Sequence, residues 1–182
     1  MRRSRVTARR ARGSSKARRG LAESRAPFGN ARPGAAAARL YDADFYSWTR
    51  AQARALRRLA GAGRPEADYA NLAEEIDSLG KEQANALRSS YQVLLCHLLK
   101  WRYQPALRST SWRNSIRRER RNIELRIEDN PGLKPRRAAL FQRAYRLARA
   151  DAADETDLPP ASFPPDCPWS LKQATDEGFW PE

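Results

Sequence analysis

A single histidine, His97, in a chain of 182 residues removes most histidine-based chemistry before any motif is sought. Helical bundles that hold paired metals draw Glu-x-x-His pairs from facing helices, and the chain contains no such pair. Glu74, Glu75 and Glu82 are the acidic residues that would have to accompany His97, yet none stands at a ligand spacing from it. Cysteine is almost as scarce. Cys96 and Cys167 lie 71 positions apart, which gives neither a disulfide framework nor a metal knuckle and fits a reducing cytoplasm. The longest uncharged run, between Arg88 and Lys100, is 11 residues, whereas a membrane-spanning helix needs about 20. Glycine-rich phosphate loops, a G-x-S-x-G elbow and paired C-x-x-C motifs are also missing. No catalytic residue, cofactor or metal is therefore expected, and no membrane.

Basic residues are what the chain has in excess. Lys and Arg number 35 against 21 Asp and Glu, a formal charge of +14. The excess is not spread evenly: residues 1–39 hold 12 basic groups and one acid, Glu23, so that 11 of the 14 charges sit there. Residues 40–182 carry only +3. The first segment has few large apolar residues beyond Val6, Leu21 and Phe28, too few to offset its ordering entropy by burial. It reads as a disordered basic tail. Such an Arg-rich arm can neutralise phosphates, can resemble a transit peptide in composition, or can be an extension with no role in the fold.

From Tyr41 onward the hydrophobic spacing is helical. Asp42 or Asp44 caps a first helix carrying Phe45, Trp48, Leu56 and Leu59 that stops at Gly61 and Gly63. Asp68 opens a long second helix that runs until Pro105 forbids continuation. A third carries Trp112, Ile116, Ile123 and Ile127 and ends at Asn130-Pro131-Gly132. The fourth presents Leu133, Leu140, Phe141, Ala144, Leu147 and Ala148. The closing segment from Glu155 holds six of the 12 prolines, interspersed with Leu158, Phe163, Trp169, Leu171, Phe179 and Trp180. Its pattern predicts a wrap around the bundle, with Ser170 and Gln173 boxing a short helix over 171–177. The fold class is all-α: a compact helical bundle around one long central helix, closed by a Pro- and aromatic-rich C-terminal wrap.

On a heptad, the long helix places Leu72, Leu79, Ala86 and Val93 at one position and Ile76, Gln83, Ser90 and His97 four residues on. His97 thereby falls on the apolar seam. A histidine there is expected to be neutral and hydrogen-bonded, because an unpaired buried polar group costs about 1–3 kcal/mol. Cys96 projects roughly 100° away around the helix, so the two do not face each other as nucleophile and base. Glu119 falls beside the apolar stripe of the third helix. Gln83, Ser90, His97, Glu119 and Arg120 are accordingly the candidates for a buried polar network, with Glu119 or Arg120 reaching the seam. On the same third helix, Arg113, Arg117, Arg118 and Arg121 are candidate phosphate contacts, although Glu124 and Glu128 stand where i, i+4 and i, i+7 compensation would place them.

The strings YDADFYSWTRAQA, NLAEEIDSLGKEQ, LLCHLLKWRYQP, SWRNSIRRERRNI, DNPGLKP and FPPDCPWSLKQATDEGFWPE follow one another at spacings that resemble the bacterial domain of unknown function 29 family. The resemblance covers about residues 41–182 and leaves the basic tail outside. It implies an all-helical cytoplasmic bacterial protein, and it transfers no catalytic residue. The expectation is a non-catalytic binding or assembly module with a protein partner or self-association. Nucleic-acid association through the Arg-rich tail and third helix is the alternative, and a hydrolase with an unrecognised acidic site the second alternative.

Overall fold

A computed structural model describes residues 35–63 and 67–182; the tail over residues 1–34, and with it most of the disorder expectation for 1–39, lies outside them. Six α-helices and three short 3-10 turns follow one another, with no strand among the described residues. The elements are α1 (Ala35–Ala43), α2 (Phe45–Gly61), α3 (Tyr69–Tyr103), α4 (Thr110–Asp129), α5 (Arg137–Thr156) and α6 (Leu171–Thr175). Residues 35–39, placed in the tail on composition, are thus helical: the alanine run has high helix propensity, and the charge count did not weigh it.

α2, α3, α4 and α6 each start where a side-chain oxygen takes an orphan amide. Asp44, rather than Asp42, accepts from Ser47 N and opens α2. Asp68 accepts from Asn71 N at the start of α3, and Ser109 from Trp112 N at the start of α4. Ser170 and Gln173 form the reciprocal capping box of α6. That helix ends at Thr175, and α5 begins at Arg137, because Pro131 and Pro135 hold the preceding residues in a 3-10 turn.

With 35 residues, α3 is about 52 Å long at 1.5 Å per residue, and its two halves live in different surroundings. The C-terminal half is enclosed. Leu87, Tyr91, Leu94, Leu95, Leu98 and Leu99 are inaccessible to solvent, each contributing about 1.5–3 kcal/mol by burial. One flank is covered by α5, with Tyr91 and Phe141 meeting edge to face at 5.6 Å. On the other, α4 brings in Ile116, Ile123 and Ile127. The N-terminal half of α3 packs against α2.

The wrap closes the open end of this core. Phe163 and Trp169 are buried, Trp180 tilts onto Trp101 at 4.8 Å, and Phe179 meets Trp169 at 6.2 Å. Arg120 holds the segment in place. Its guanidinium is buried and donates to the carbonyls of Ala174 (3.0 Å), Glu177 (3.2 Å) and Phe179 (2.6 Å), and it lies 5.4 Å over the Trp180 ring.

A second tie joins the start of α2 to the α4–α5 connection. Tyr46 N donates to Asn130 Oδ1 (3.0 Å), Gly132 N donates to Asp44 Oδ2 (2.8 Å), and Arg136 donates to the Tyr46 hydroxyl (2.6 Å). A Cβ at 132 would crowd Ser47 Oγ and Asp44 Oδ2, so any larger residue there would have to displace the side chains that cap α2.

Candidate functional site

The packed seam between α2 and α3 is not the apolar heptad. In α3 it consists of Ala73, Asp77, Gly80, Ala84 and Leu87, and in α2 of Tyr46, Thr49 and Ala53. Small residues let the two backbones approach: a Cβ on Gly80 would lie 2.4 Å from Thr49 Oγ1. Asp77 is buried in this seam and pairs with Arg50 (2.7 Å), Arg57 (3.6 Å) and Lys81 (3.3 Å), while Arg57 also reaches Glu74 (2.7 Å). Burial alone would raise the Asp77 carboxyl; the Lys81 hydrogen bond and the charges of Arg50, Lys81 and Arg57 outweigh it and hold it below the ordinary carboxylate range.

Because α2 and α3 run antiparallel, positions one residue after the seam on either helix project to one side of the hairpin, and positions one residue before it to the other. The first side carries Arg50, Arg57, Glu74 and Lys81, the ion-pair layer just described. The second side carries Phe45, Trp48, Gln52, Ala55 and Leu59 from α2, and Leu72, Ile76, Leu79 and Gln83 from α3. Tyr41 of α1 joins it through edge contacts with Phe45 (5.6 Å) and Trp48 (4.8 Å), and Phe45 stacks on Trp48 at 5.6 Å. Tyr41, Leu59, Leu72 and Leu79 are exposed by 50%, 38%, 46% and 39%. They are four of the seven exposed large apolar side chains among the described residues, gathered on one face. Leu72 and Leu79 therefore lie on the surface and not in the intrachain seam that the heptad assigned them.

A polar cluster lies at the far end of α3. Lys100 is buried, donates to Glu155 Oε2 at 2.5 Å and sits 4.6 Å over the Trp112 ring. Cys96 Sγ lies 3.8 Å from Glu155 Oε1. Burial, reinforced by the Glu155 charge, pushes the thiol up to about 12, so it stays protonated at neutral pH and is no nucleophile. The hydrogen bond from Lys100 keeps Glu155 below the ordinary carboxylate range against the effect of burial. His97 is half-buried and bonds through Nδ1 to the Val93 carbonyl at 2.9 Å. Since a carbonyl only accepts, Nδ1 carries the proton. Burial lowers the imidazole pKa, and Lys100 and Arg118 lower it further, against the opposing Val93 hydrogen bond and Glu155 charge.

The five residues chosen for a buried network are not brought together. Ser90 Oγ accepts from Arg126 Nε at 3.3 Å, so α4 does reach the seam position, but through a residue nearer its end. Glu119 is buried and is served within its own helix by Arg118 (2.9 Å) and Asn122 (3.2 Å). Arg120 turns to the C-terminal wrap, and His97 is satisfied by its own backbone. Gln83 lies at the rim of the apolar face, half-buried. The reason is geometric: α4 crosses α3 so that Ile116, Ile123 and Ile127 fill the shared space and leave Glu119 and Arg120 to either side. Arg113, Arg117, Arg118 and Arg121 are all exposed. Arg118 pairs with Glu119, Arg113 lies 5.7 Å over the Trp101 ring, and neither Arg117 nor Arg121 forms an ion pair with Glu124 or Glu128.

Among the described residues, no three or more His, Cys, Asp or Glu side chains converge as metal ligands, and no helix is long and apolar enough to cross a membrane. The architecture is that of an all-helical protein built on one long central helix. The sequence model of the family described as Domain of unknown function DUF29 matches residues 40–180, and the chain belongs to that family. It is also similar in structure to an alpha-helical protein of unknown function from Rhodospirillum rubrum, known from a crystal structure. The two are 25% identical with a TM-score of 0.56, over 76% of this chain and 90% of the other. No curated protein sequence matches significantly.

Proposed function

We propose that the protein is a non-catalytic binding or assembly module whose working surface is the apolar face of the α2–α3 hairpin. The observation that carries this reading is the concentration of Tyr41, Leu59, Leu72 and Leu79 on one face, beside Phe45, Trp48 and Ile76. Scattered exposed leucines need no explanation, whereas a contiguous apolar patch on a folded domain marks an interaction site. The polar cluster of α3 supports the non-catalytic part: its thiol is protonated, its lysine is neutralised by Glu155, and its histidine has no nucleophile beside it.

The test compares the wild-type chain with Leu72→Gln, Leu79→Gln by native size in an extract of the source cell. Both residues are already exposed, so helicity and melting temperature should be unchanged. The wild type is expected to run well above monomer mass and the variant at it. Wild type running at monomer mass refutes the reading.

A second reading rests on Arg113, Arg117 and Arg121, exposed at successive i, i+4 positions of α4. Three phosphate contacts would give a salt slope of about −2.7 for duplex DNA, at about −0.9 per phosphate. Replacing all three by Gln should then flatten the slope by that amount. An unchanged slope rejects it.

A further inference from the structure

We propose that a cleft on the ion-paired side of the α2–α3 hairpin binds a phosphate dianion, either inorganic phosphate or the terminal phosphate of a small monoester. The site is separate from the apolar face. The cleft has a volume of about 140 Å³ and opens where α2, α3 and the start of α5 meet. Tyr46 and Arg50 reach it from α2, Lys81 and Asn85 from α3, and Arg136 and Arg143 from the 3-10 turn before α5 and from α5 itself. Four of these six side chains are cations, and among the described residues no carboxylate lines the cleft.

Charge selects this cleft over the larger one. The cavity of about 560 Å³ beside Arg120 sets Lys134, Arg137 and Arg120 itself against Glu124, Glu128 and Glu177, and so balances itself. In the smaller cleft the compensation falls short. Arg50, Lys81 and Arg57 all share Asp77, and Arg57 also takes Glu74. Arg136 and Arg143 form no ion pair among the described residues. Five cations thus face two carboxylates, Asp77 and Glu74, which leaves an excess of three positive charges. A concave wall with that excess attracts and concentrates anions.

Tyr46 is the second argument. It is 7% exposed, and its hydroxyl accepts from Arg136 Nη1 at 2.6 Å. A guanidinium has no lone pair to offer in return, so the hydroxyl proton needs another acceptor, and none is present among the described residues. An oxyanion in the cleft would take that proton together with the guanidinium and ammonium donors around it. Ala84, Leu140 and the Tyr46 ring are buried beneath these donors, and such an apolar floor strengthens each charged hydrogen bond above it.

The donor set also selects the anion. A carboxylate brings one charge and two oxygens, fewer than this wall can serve. A nucleic-acid diester likewise brings one charge per phosphate, and it gains affinity from a track of contacts instead of one dead end. A terminal phosphate carries about 1.5–2 negative charges near neutral pH and three acceptor oxygens.

Isothermal titration calorimetry of the full chain at low salt, with inorganic phosphate and with methyl phosphate, should show one saturable site per chain with a Kd of about 1 mM or tighter. Binding of both supports a monoester site, and binding of inorganic phosphate alone supports a site for the free ion. Arg143 is exposed and forms no ion pair among the described residues, so Arg143→Gln should keep the wild-type melting temperature and weaken binding about tenfold. Tyr46→Phe, which keeps the ring, should weaken it a few-fold. The triple variant Arg113→Gln, Arg117→Gln, Arg121→Gln should bind as wild type does. Loss in the triple variant with full binding in Arg143→Gln overturns the proposal by moving the anion to α4. Acetate or dimethyl phosphate binding as tightly as methyl phosphate overturns the preference for a dianion, and no saturable heat up to about 10 mM of either phosphate overturns the site.

Discussion

Replacing Gly80 by alanine should destabilise the domain, against the usual sign for that substitution. In an exposed helix interior, alanine is favoured over glycine by about 1 kcal/mol. At position 80 the new methyl would lie 2.4 Å from Thr49 Oγ1, 3.4 Å from Thr49 Cβ and 3.8 Å from the Tyr46 ring. Thr49 is wholly buried, and its hydroxyl donates to the Tyr46 carbonyl at 2.8 Å. Either α2 moves away by about 1 Å, at an overpacking cost of about 1–3 kcal/mol, or Thr49 rotates and leaves its buried hydroxyl without a partner, at a cost of about 1–3 kcal/mol. After the propensity gain of about 1 kcal/mol, a net loss of up to about 2 kcal/mol remains, a fall of up to about 4–8 °C in melting temperature for a domain of this size. Urea unfolding followed by circular dichroism measures it. Thr49→Ala in the same chain removes the obstructing oxygen and should recover most of the loss, giving a favourable coupling between two positions 31 residues apart. A Gly80→Ala chain more stable than wild type would show that α2 does not press on α3 there, and the seam described above would be wrong.

The other predictions concern single charged or polar groups. Arg120→Ala should cost about 3 kcal/mol or more, because three carbonyls lose a charged donor at once. Arg120→Lys should recover little, since an ammonium cannot fork to all three; proteolysis within residues 171–182 reports the release, and wild-type resistance in Arg120→Lys would refute the fork. His97 titrates below the ordinary value of about 6.5 in the folded state, so on acidification the unfolded chain takes up a proton before the native one does. Stability should fall as the pH drops through 6.5 towards the folded value. In His97→Gln the urea midpoint should fall less between pH 8 and pH 5; an equal fall would place the acid sensitivity elsewhere. Asp77 and Glu155 act in a separate window: their lowered values add stability that is present above the ordinary carboxylate range and lost only well below pH 5.

Five of the six helices, the caps at Asp68 and Ser170, and the anchoring role of the closing aromatics are legible in the sequence because they depend on near neighbours in the chain. The seam is not. Hydrophobic counting selects Leu72, Ile76 and Leu79 as the inner stripe, whereas α2 packs on Ala73, Asp77, Gly80 and Ala84. Close approach of two backbones is signalled by small residues, and Asp77 enters the seam only because three cations from two helices meet it. The two stripes differ by one residue, which a heptad frame cannot separate without knowing which face meets a neighbour. The sequence pattern makes Arg120 a buried polar group, but its partners are main-chain oxygens of residues 174–179, and every residue has one of those. The apolar hairpin face was hidden for the complementary reason: its residues look like core in a single chain.

The dependence of Arg120 on carbonyls from residues 174, 177 and 179 also orders events during synthesis. Those residues are translated after everything else in the described fold, so a nascent chain holding α3, α4 and α5 outside the ribosome carries a guanidinium in its core with no acceptor. The helices can form and collapse at that stage, but the open end stays wet and Trp101 stays uncovered until the wrap emerges. A stall or a stop codon a few codons before Ala174 would thus leave a product that chaperones and proteases treat as unfinished, although every long helix in it is already intact.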